Sequence, residues 1–335
     1  MEKREKISVI IPCYNVEDRV GKCLDSILHQ TIQTADLEII CVDDKSDDAT
    51  VSVLMEYEAK YSEQIMLVLL EKNGKQGNAR NVGMTYASGE YIFFVDSDDE
   101  IAPETLDVMY AWMKKSPCDY VECEYQTVGT EAERTVNVRG SETVVDSSDP
   151  VSRRRYVLQQ GWKSHVVGKL YRKDFLQEHQ IYFPTDIFME DVYFSELCML
   201  YANRIVYLPI VYYFYIINYS GTMLSEKIID YYMDTPKVQN MTTERVLLER
   251  LSNGCELEYQ MLHFSKAFAE PIERMRRDKR FYNSENIAWL KEKIFFYFPE
   301  ILQNPYMAQD TSETMSFYKN ILVSEQEAWA GIFGM

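Results

Sequence analysis

The sequence predicts an α/β protein in which a doubly wound, mainly parallel sheet is followed by an α-helical C-terminal domain. Short apolar runs without alternation recur through residues 1–125, and each is followed by a stretch of helical spacing. That pattern marks parallel strands buried on both faces with helices packed over them. From about residue 224 the strand-like runs stop, and apolar residues such as Val246, Leu247 and Leu251 recur at helical spacing. The 335 residues leave room for two domains of roughly 150 residues each.

Taken in order, Ile7–Ile11 is a continuous apolar run of strand length. Asn15 is placed to cap a helix carrying Val20, Cys23, Leu24, Ile27 and Leu28 on one face. Leu37–Val42 is a second strand, Val51, Leu54 and Met55 mark a helix, and Ile65–Leu70 is a third strand. Ala79, Val82, Gly83, Tyr86 and Ala87 share a helical face, and Tyr91–Val95 is a fourth strand. Pro103 opens a helix with Leu106, Met109, Tyr110 and Met113 inward, and Asp119–Tyr125 is a fifth strand. Val136–Val138 and Val144–Val145 read as short strands in a polar stretch. Helices follow near 150–160, 171–179 and 190–203, then an aromatic strand over 205–217. We place the domains at 1–222, split into halves 1–125 and 126–222, and at 223–335.

Apolar residues at 46% and charged residues at 26% are ordinary for a globular chain. With 35 Lys+Arg against 53 Asp+Glu the formal charge is −18, which repels polyphosphates and disfavours nucleic acid as a partner. Seven cysteines without a C-x-x-C pair, and four histidines without a cluster, argue against zinc and for reduced thiols. The N-terminal apolar run is five residues long before Pro12, too short for a signal peptide, and no run reaches the roughly 20 residues of a membrane span. These readings predict a cytoplasmic protein.

In doubly wound sheets ligands sit beyond the carboxyl ends of the strands. There the sequence gathers Asp43 and Asp44 after the second strand and Asp96, Asp98 and Asp99 after the fourth. Carboxylates so grouped raise one another's pKa unless a cation neutralises them, and hard ions such as Mg²⁺ or Mn²⁺ take oxygen ligands. Between the acidic loops, Asn73–Asn81 is a turn containing Gly77 that runs into a helix, where backbone N–H groups suit an anion. Arg80 in that turn has two readings: a fork toward phosphate, or a strut for the Asp96–Asp99 loop. Glu190 and Asp191 open a later helix. They either complement its dipole or supply a general base.

Taken together, Ile7-Ser-Val-Ile-Ile-Pro-Cys-Tyr-Asn15, Val42-Asp-Asp-Lys-Ser46, Ala79-Arg-Asn-Val-Gly83, Ala87-Ser-Gly-Glu-Tyr91 and Phe94-Val-Asp-Ser-Asp-Asp99 resemble the family 2 glycosyltransferases in order and spacing. The resemblance runs on through Gly168-Lys-Leu-Tyr171 and Glu190-Asp191, covering about residues 6–225. It implies a GT-A, Rossmann-like fold, a nucleotide-sugar donor (a UDP-sugar in most relatives), a divalent metal, and inversion at the transferred sugar. By matching motif, Pro12, Tyr14 and Asp44 would line the nucleobase and ribose site. Gly77, Arg80, Asp96 and Ser97 would belong to the nucleotide-sugar site, Asp96 and Asp98 would hold the metal, and Asp191 would be the base. Lys169 and Glu190 would lie on the acceptor or diphosphate side. Three departures stand out: Lys45 where the family usually has Gly, the reversed order Gly74-Lys75, and no Arg after Tyr215, where Ile216-Ile-Asn-Tyr-Ser220 follows.

The expected acceptor is a glycan or a lipid-linked hydroxyl of a bacterial surface polymer. A sugar-phosphate nucleotidyltransferase fits less well, because no Gly precedes Gly21 where its phosphate loop would lie. A sugar-nucleotide-binding module without efficient turnover is the alternative motivated by Lys45 and the missing Arg. In the C-terminal domain, Arg274–Arg280 is either a solvated helix face or a peripheral membrane contact, and the helices are candidates for a homodimer interface.

Overall fold

The computed structural model describes residues 6–32, 36–129, 133–146, 149–160, 164–217 and 228–334. The chain forms two compact units, Met1–Pro150 with Ser164–Gly221, and Val151–Lys163 with Thr222–Met335. In the first unit, β1 (Ile7–Cys13), β2 (Leu37–Asp43), β3 (Ile65–Leu69) and β4 (Tyr91–Phe94) pair in parallel in the order β3-β2-β1-β4. Every residue of β1 and β4 is buried, which is why their sequences are apolar apart from Ser8. Between them lie α1 (Val20–Leu28), α2 (Thr50–Lys60) and α3 (Lys75–Tyr86).

The sheet reverses its strand order between β1 and β4, so its crevice lies beyond Cys13 and Phe94. Pro12 marks this opening. The Ile10 carbonyl accepts from Val95 N–H at 3.2 Å and the Cys13 carbonyl from Asp44 N–H at 2.8 Å, so alternate residues of β1 face opposite neighbours. The N–H that Pro12 lacks would therefore face β4, whose pairing has already ended at Ile10–Phe94.

Beyond β4 the sheet becomes mixed. After β5 (Glu100–Ile101) and α4 (Thr105–Lys115) come β6 (Tyr120–Val128), β7 (Thr143–Asp146) and α5 (Pro150–Gln160). Then follow β8 (Lys169–Arg172), α6 (Lys173–Glu178), α7 (Glu190–Tyr201) and β9 (Arg204–Ile216). Strand β8 runs antiparallel to both β4 and β6, β6 and β9 are parallel, and β5 and β7 pair antiparallel to β9.

Several local expectations change. Asn15 does not cap α1, whose first residue is Val20. At φ 52° it turns the chain, its N–H donating to Ser46 Oγ and its Oδ1 accepting from Asp47 N–H, both at 3.0 Å. A short polar side chain tolerates that conformation, and here it ties the first loop to the second. Val136–Val138 is no strand; Val138 makes one isolated bridge to Ile210, while Val144 and Val145 do lie in β7. The two-residue β5 is too short to leave a periodic trace. Residues 218–220 of the segment after Tyr215, and the expected boundary at 222, lie outside the described residues.

The second unit is helical where described: α5 joins α8 (Ile228–Leu248), α9 (Glu256–Phe264), α10 (Glu270–Arg277), α11 (Ser284–Tyr297), α12 (Pro305–Gln309), α13 (Glu313–Val323) and α14 (Gln326–Ile332). The basic run at its centre carries its own counter-ions. Glu273 pairs with Arg277 at 2.8 Å and Arg276 at 3.5 Å, and Asp278 pairs with Arg280 at 2.6 Å, as a solvated helix face does. No helix among the described residues is long and apolar enough to cross a membrane.

Candidate active site

Four loops and one helix start meet at the β1–β4 crevice. The first two are the turn at Tyr14, which leaves that ring 45% exposed, and the acidic loop after β2. Asp43 is buried and its Oδ2 accepts from Ser46 N–H at 3.0 Å. Asp44, also buried, accepts from Gly74 N–H through Oδ1 at 2.8 Å, and its carbonyl accepts from Asn73 Nδ2 at 3.0 Å. Burial, helped by Asp43 and Asp186, raises the Asp44 pKa against the pull of the Gly74 and Lys75 N–H groups. This loop and the turn before α3 are thus one structure.

The two lysines that depart from the family pattern both take left-handed backbone, Lys45 at φ 67° and Lys75 at φ 63°. Glycine adopts this region without the Cβ penalty. The Lys75 ammonium donates to the Asp186 carbonyl at 3.0 Å and lies 4.0 Å from the centre of the Phe188 ring.

Arg80 lies in α3 and is 2% exposed. One arm of its guanidinium donates to Asp96 Oδ1 at 2.7 Å and to Gln76 Oε1 at 3.2 Å; the other donates to Glu190 Oε1. Burial disfavours the charge, but Asp96 and Glu190 outweigh it and hold the Arg80 pKa above its ordinary value. The fork is therefore spent on two protein carboxylates, which matches the strut reading.

After β4, Ser97 and Asp99 are buried while Asp96 and Asp98 are partly exposed. Asp99 anchors the loop: Oδ2 accepts from the Tyr213 hydroxyl at 2.6 Å and Oδ1 from Ile216 N–H at 2.8 Å. Asp96 N–H donates to the same hydroxyl at 3.2 Å. Burial, then Asp96 and Asp98, push the Asp99 carboxyl well above the ordinary range. Among the described residues no group of three or more His, Cys, Asp or Glu could hold a metal alone. The oxygen donors of Asp96 and Asp98 instead suit an ion shared between one or two carboxylates and substrate phosphates.

The base candidate reaches the site through α3. Asn81 Nδ2 donates to the Phe183 carbonyl at 2.8 Å and its Oδ1 accepts from Phe183 N–H at 2.9 Å. A Cβ on Gly77 would stand 2.3 Å from the Pro184 carbonyl, so only glycine lets the segment before α7 come this close. Met189 at φ 64° then turns the chain so that Glu190 and Asp191 begin α7. Burial first and Glu190 second raise the Asp191 carboxyl to about 7; Arg80 opposes this and Asp96 adds to it. Asp191 and Asp96, 95 positions apart in the chain, share one electrostatic site. Lys169 on β8 is buried, with its ammonium donating to the His165 carbonyl at 2.6 Å and standing 3.9 Å from Glu122.

The sequence reading did not single out Tyr213 or Asn81. Tyr213 sits in a run legible as an aromatic strand, but its bond to Asp99 was not legible. Asn81 lies inside a quoted motif, but nothing in the sequence announces its tie to Phe183.

The sequence profile of glycosyl transferase family 2 matches residues 8–179. The chain is 34% identical over 221 residues to a poly(ribitol-phosphate) beta-glucosyltransferase of Bacillus spizizenii, covering 66% of this chain and 33% of that protein. It is 32% identical over 228 residues to the poly(ribitol-phosphate) beta-N-acetylglucosaminyltransferase TarS of Staphylococcus aureus, covering 66% and 37%. The chain thus spans about a third of the length of these curated relatives. In three dimensions it is similar to the crystal structure of S. aureus TarS, with TM-score 0.71 at 23% identity over 98% of this chain and 55% of that one. A mannosyltransferase from Pyrobaculum calidifontis, in complex with GDP-Man and Mn²⁺, gives TM-score 0.53 at 15% identity over 99% of this chain and 85% of that one. The mixed sheet with its helical C-terminal region is the GT-A architecture. On the match over residues 8–179, the chain belongs to glycosyl transferase family 2.

Proposed function

We propose that the protein transfers a sugar from a nucleotide-diphospho-sugar, a UDP-sugar, to a hydroxyl of a glycan or lipid-linked acceptor in the synthesis of a bacterial surface polymer. The observation that carries this reading is the buried Arg80 bridging Asp96 on the donor loop and Glu190 beside the base. It couples the two halves that an inverting displacement requires.

In this reading Pro12, Tyr14 and Asp44 border the base and ribose, and Asp96, Ser97 and Asp98 face the diphosphate. Asp96 and Asp98 would hold a divalent ion, Mn²⁺ or Mg²⁺, which when bound neutralises charge on the departing diphosphate. Asp191 accepts the acceptor's hydroxyl proton as its oxygen attacks the anomeric carbon. Burial next to Glu190 suits it to that task, because a base works best with a pKa near the working pH. No protein nucleophile is needed for a single in-line displacement. Arg80 fixes Asp96 and Glu190 and leaves phosphate charge to the cation. The relatives act on poly(ribitol-phosphate) with glucosyl or N-acetylglucosaminyl donors, which makes both sugars the first to test. The seven buried cysteines, none in a disulfide, support action in a reducing compartment, the cytoplasm.

The test is turnover of UDP-glucose and UDP-N-acetylglucosamine in wild type and Asp191→Asn. The variant is expected to lose about a thousand-fold or more in kcat, within the range for a general base, while donor Kd stays within a few fold. Retained turnover would remove Asp191 from its role.

A further inference from the structure

We infer that Tyr125, Tyr215 and the ring of His165 form a carbohydrate subsite beside the Asp96–Asp99 loop, and that it takes a neutral pyranose ring of the acceptor. This deepens the proposed function and rests on it. Strands β6 and β9 are in parallel register, with Tyr125 opposite Tyr213 and Thr127 opposite Tyr215. Side chains alternate along a strand, so Tyr125 and Tyr215 share the face of Tyr213. That face is located by the Tyr213 hydroxyl, which bonds Asp99 and Asp96 N–H. A register shift between Cys123 and Tyr125 re-aims this stretch of β6, a device common next to active sites.

Tyr125 is 38% and Tyr215 39% exposed, although the Tyr213 beside them is fully buried. The His165 ring meets Tyr125 edge-on, centroids 4.9 Å apart at 80°, and its Nδ1 lies 3.0 Å from the Val167 carbonyl. Gly168 takes the left-handed φ of 68° with which that loop turns beside Cys123 on the strand. Burial and the three carboxylates Asp99, Asp98 and Asp96 push the Tyr215 phenol up to about 12, in keeping with its place beside the donor loop.

Exposed tyrosines offer an apolar face with a polar tip, the combination that suits the C–H face and hydroxyls of a sugar ring. Asp98, whose charge acts on Tyr215, disfavours a phosphodiester there and favours a neutral ring.

Saturation-transfer NMR with methyl β-D-glucopyranoside, ribitol, and protein loaded with UDP tests this. The pyranoside is expected to bind, and its Kd to rise about ten-fold in Tyr125→Ala and in Tyr215→Ala, the worth of one aromatic contact. UDP affinity should stay unchanged, and Tyr215→Phe should retain most of the binding. Absence of pyranoside binding, equal affinity in the variants, or a preference for ribitol would overturn the subsite. Loading with UDP-N-acetylglucosamine in place of UDP should leave pyranoside affinity intact; competition would give the wall to the donor sugar and overturn its assignment to the acceptor. Failure of UDP itself to bind would refute the proposed function instead, and the pyranoside arm without UDP would still decide the subsite.

Discussion

Asp191 and Arg80 illustrate how burial sets chemistry at single residues. The Asp191 carboxyl is lifted to about 7 because its surroundings and Glu190 disfavour its charge more than Arg80 favours it. Its folded pKa lies above the unfolded value near 3.9. The protonated form is therefore favoured by the fold, and its stabilising contribution is full below the unfolded pKa and lost as pH rises toward 7. In the proposed function catalysis has the opposite sign, because there the ionised form acts as the base. We expect kcat to rise with pH through an apparent pKa near 7 and then level off. A flat profile across that range would show that another group takes the proton. Arg80, with both arms engaged by Asp96 and Glu190, places its charge where it steadies the acids.

At the scale of elements, α3 governs the site. Gly74 just before it supports Asp44, its middle holds Asp96 and Glu190 through Arg80, and Asn81 grips Phe183 ahead of α7. Gly77 is the close-approach point. Gly77→Ala is expected to destabilise the protein by about 2 kcal/mol through overpacking and to lower kcat more than donor affinity, because the displaced segment carries Asp191. Chemical denaturation and steady-state kinetics check both parts. The loops show the reverse case. Lys45 is exposed at φ 67°, so Lys45→Gly should stabilise by about 1 kcal/mol in a denaturation midpoint, the approximate cost of a Cβ in that conformation. Lys75→Gly relieves the same strain but forfeits the contacts to Asp186 and Phe188, so its gain should be smaller.

For the molecule as a whole, the long strands were legible because β1, β2 and β4 are buried almost throughout and are mostly apolar without alternation. The acidic loops were legible because they follow those runs directly. What escaped the sequence was contact between distant segments. The grip of Asn81 on Phe183, the Tyr213 anchor of Asp99, and the tether of Asn15 to Ser46 each depend on packing that no periodicity encodes. The brief β5 and the bridge at Val138 leave no pattern for the same reason. In the proposed function a chain of formal charge −18 binds a diphosphate beside its own acids, and a divalent ion held by Asp96 and Asp98 would reconcile the two. Calorimetric titration of UDP with and without Mn²⁺, in wild type, Asp98→Ala and Asp191→Asn, tests this most directly. The account predicts Mn²⁺-dependent affinity in wild type and Asp191→Asn, and a loss of about a hundred-fold in Asp98→Ala, the equivalent of about 3 kcal/mol. UDP affinity that ignores Mn²⁺, or that survives in Asp98→Ala, would contradict it.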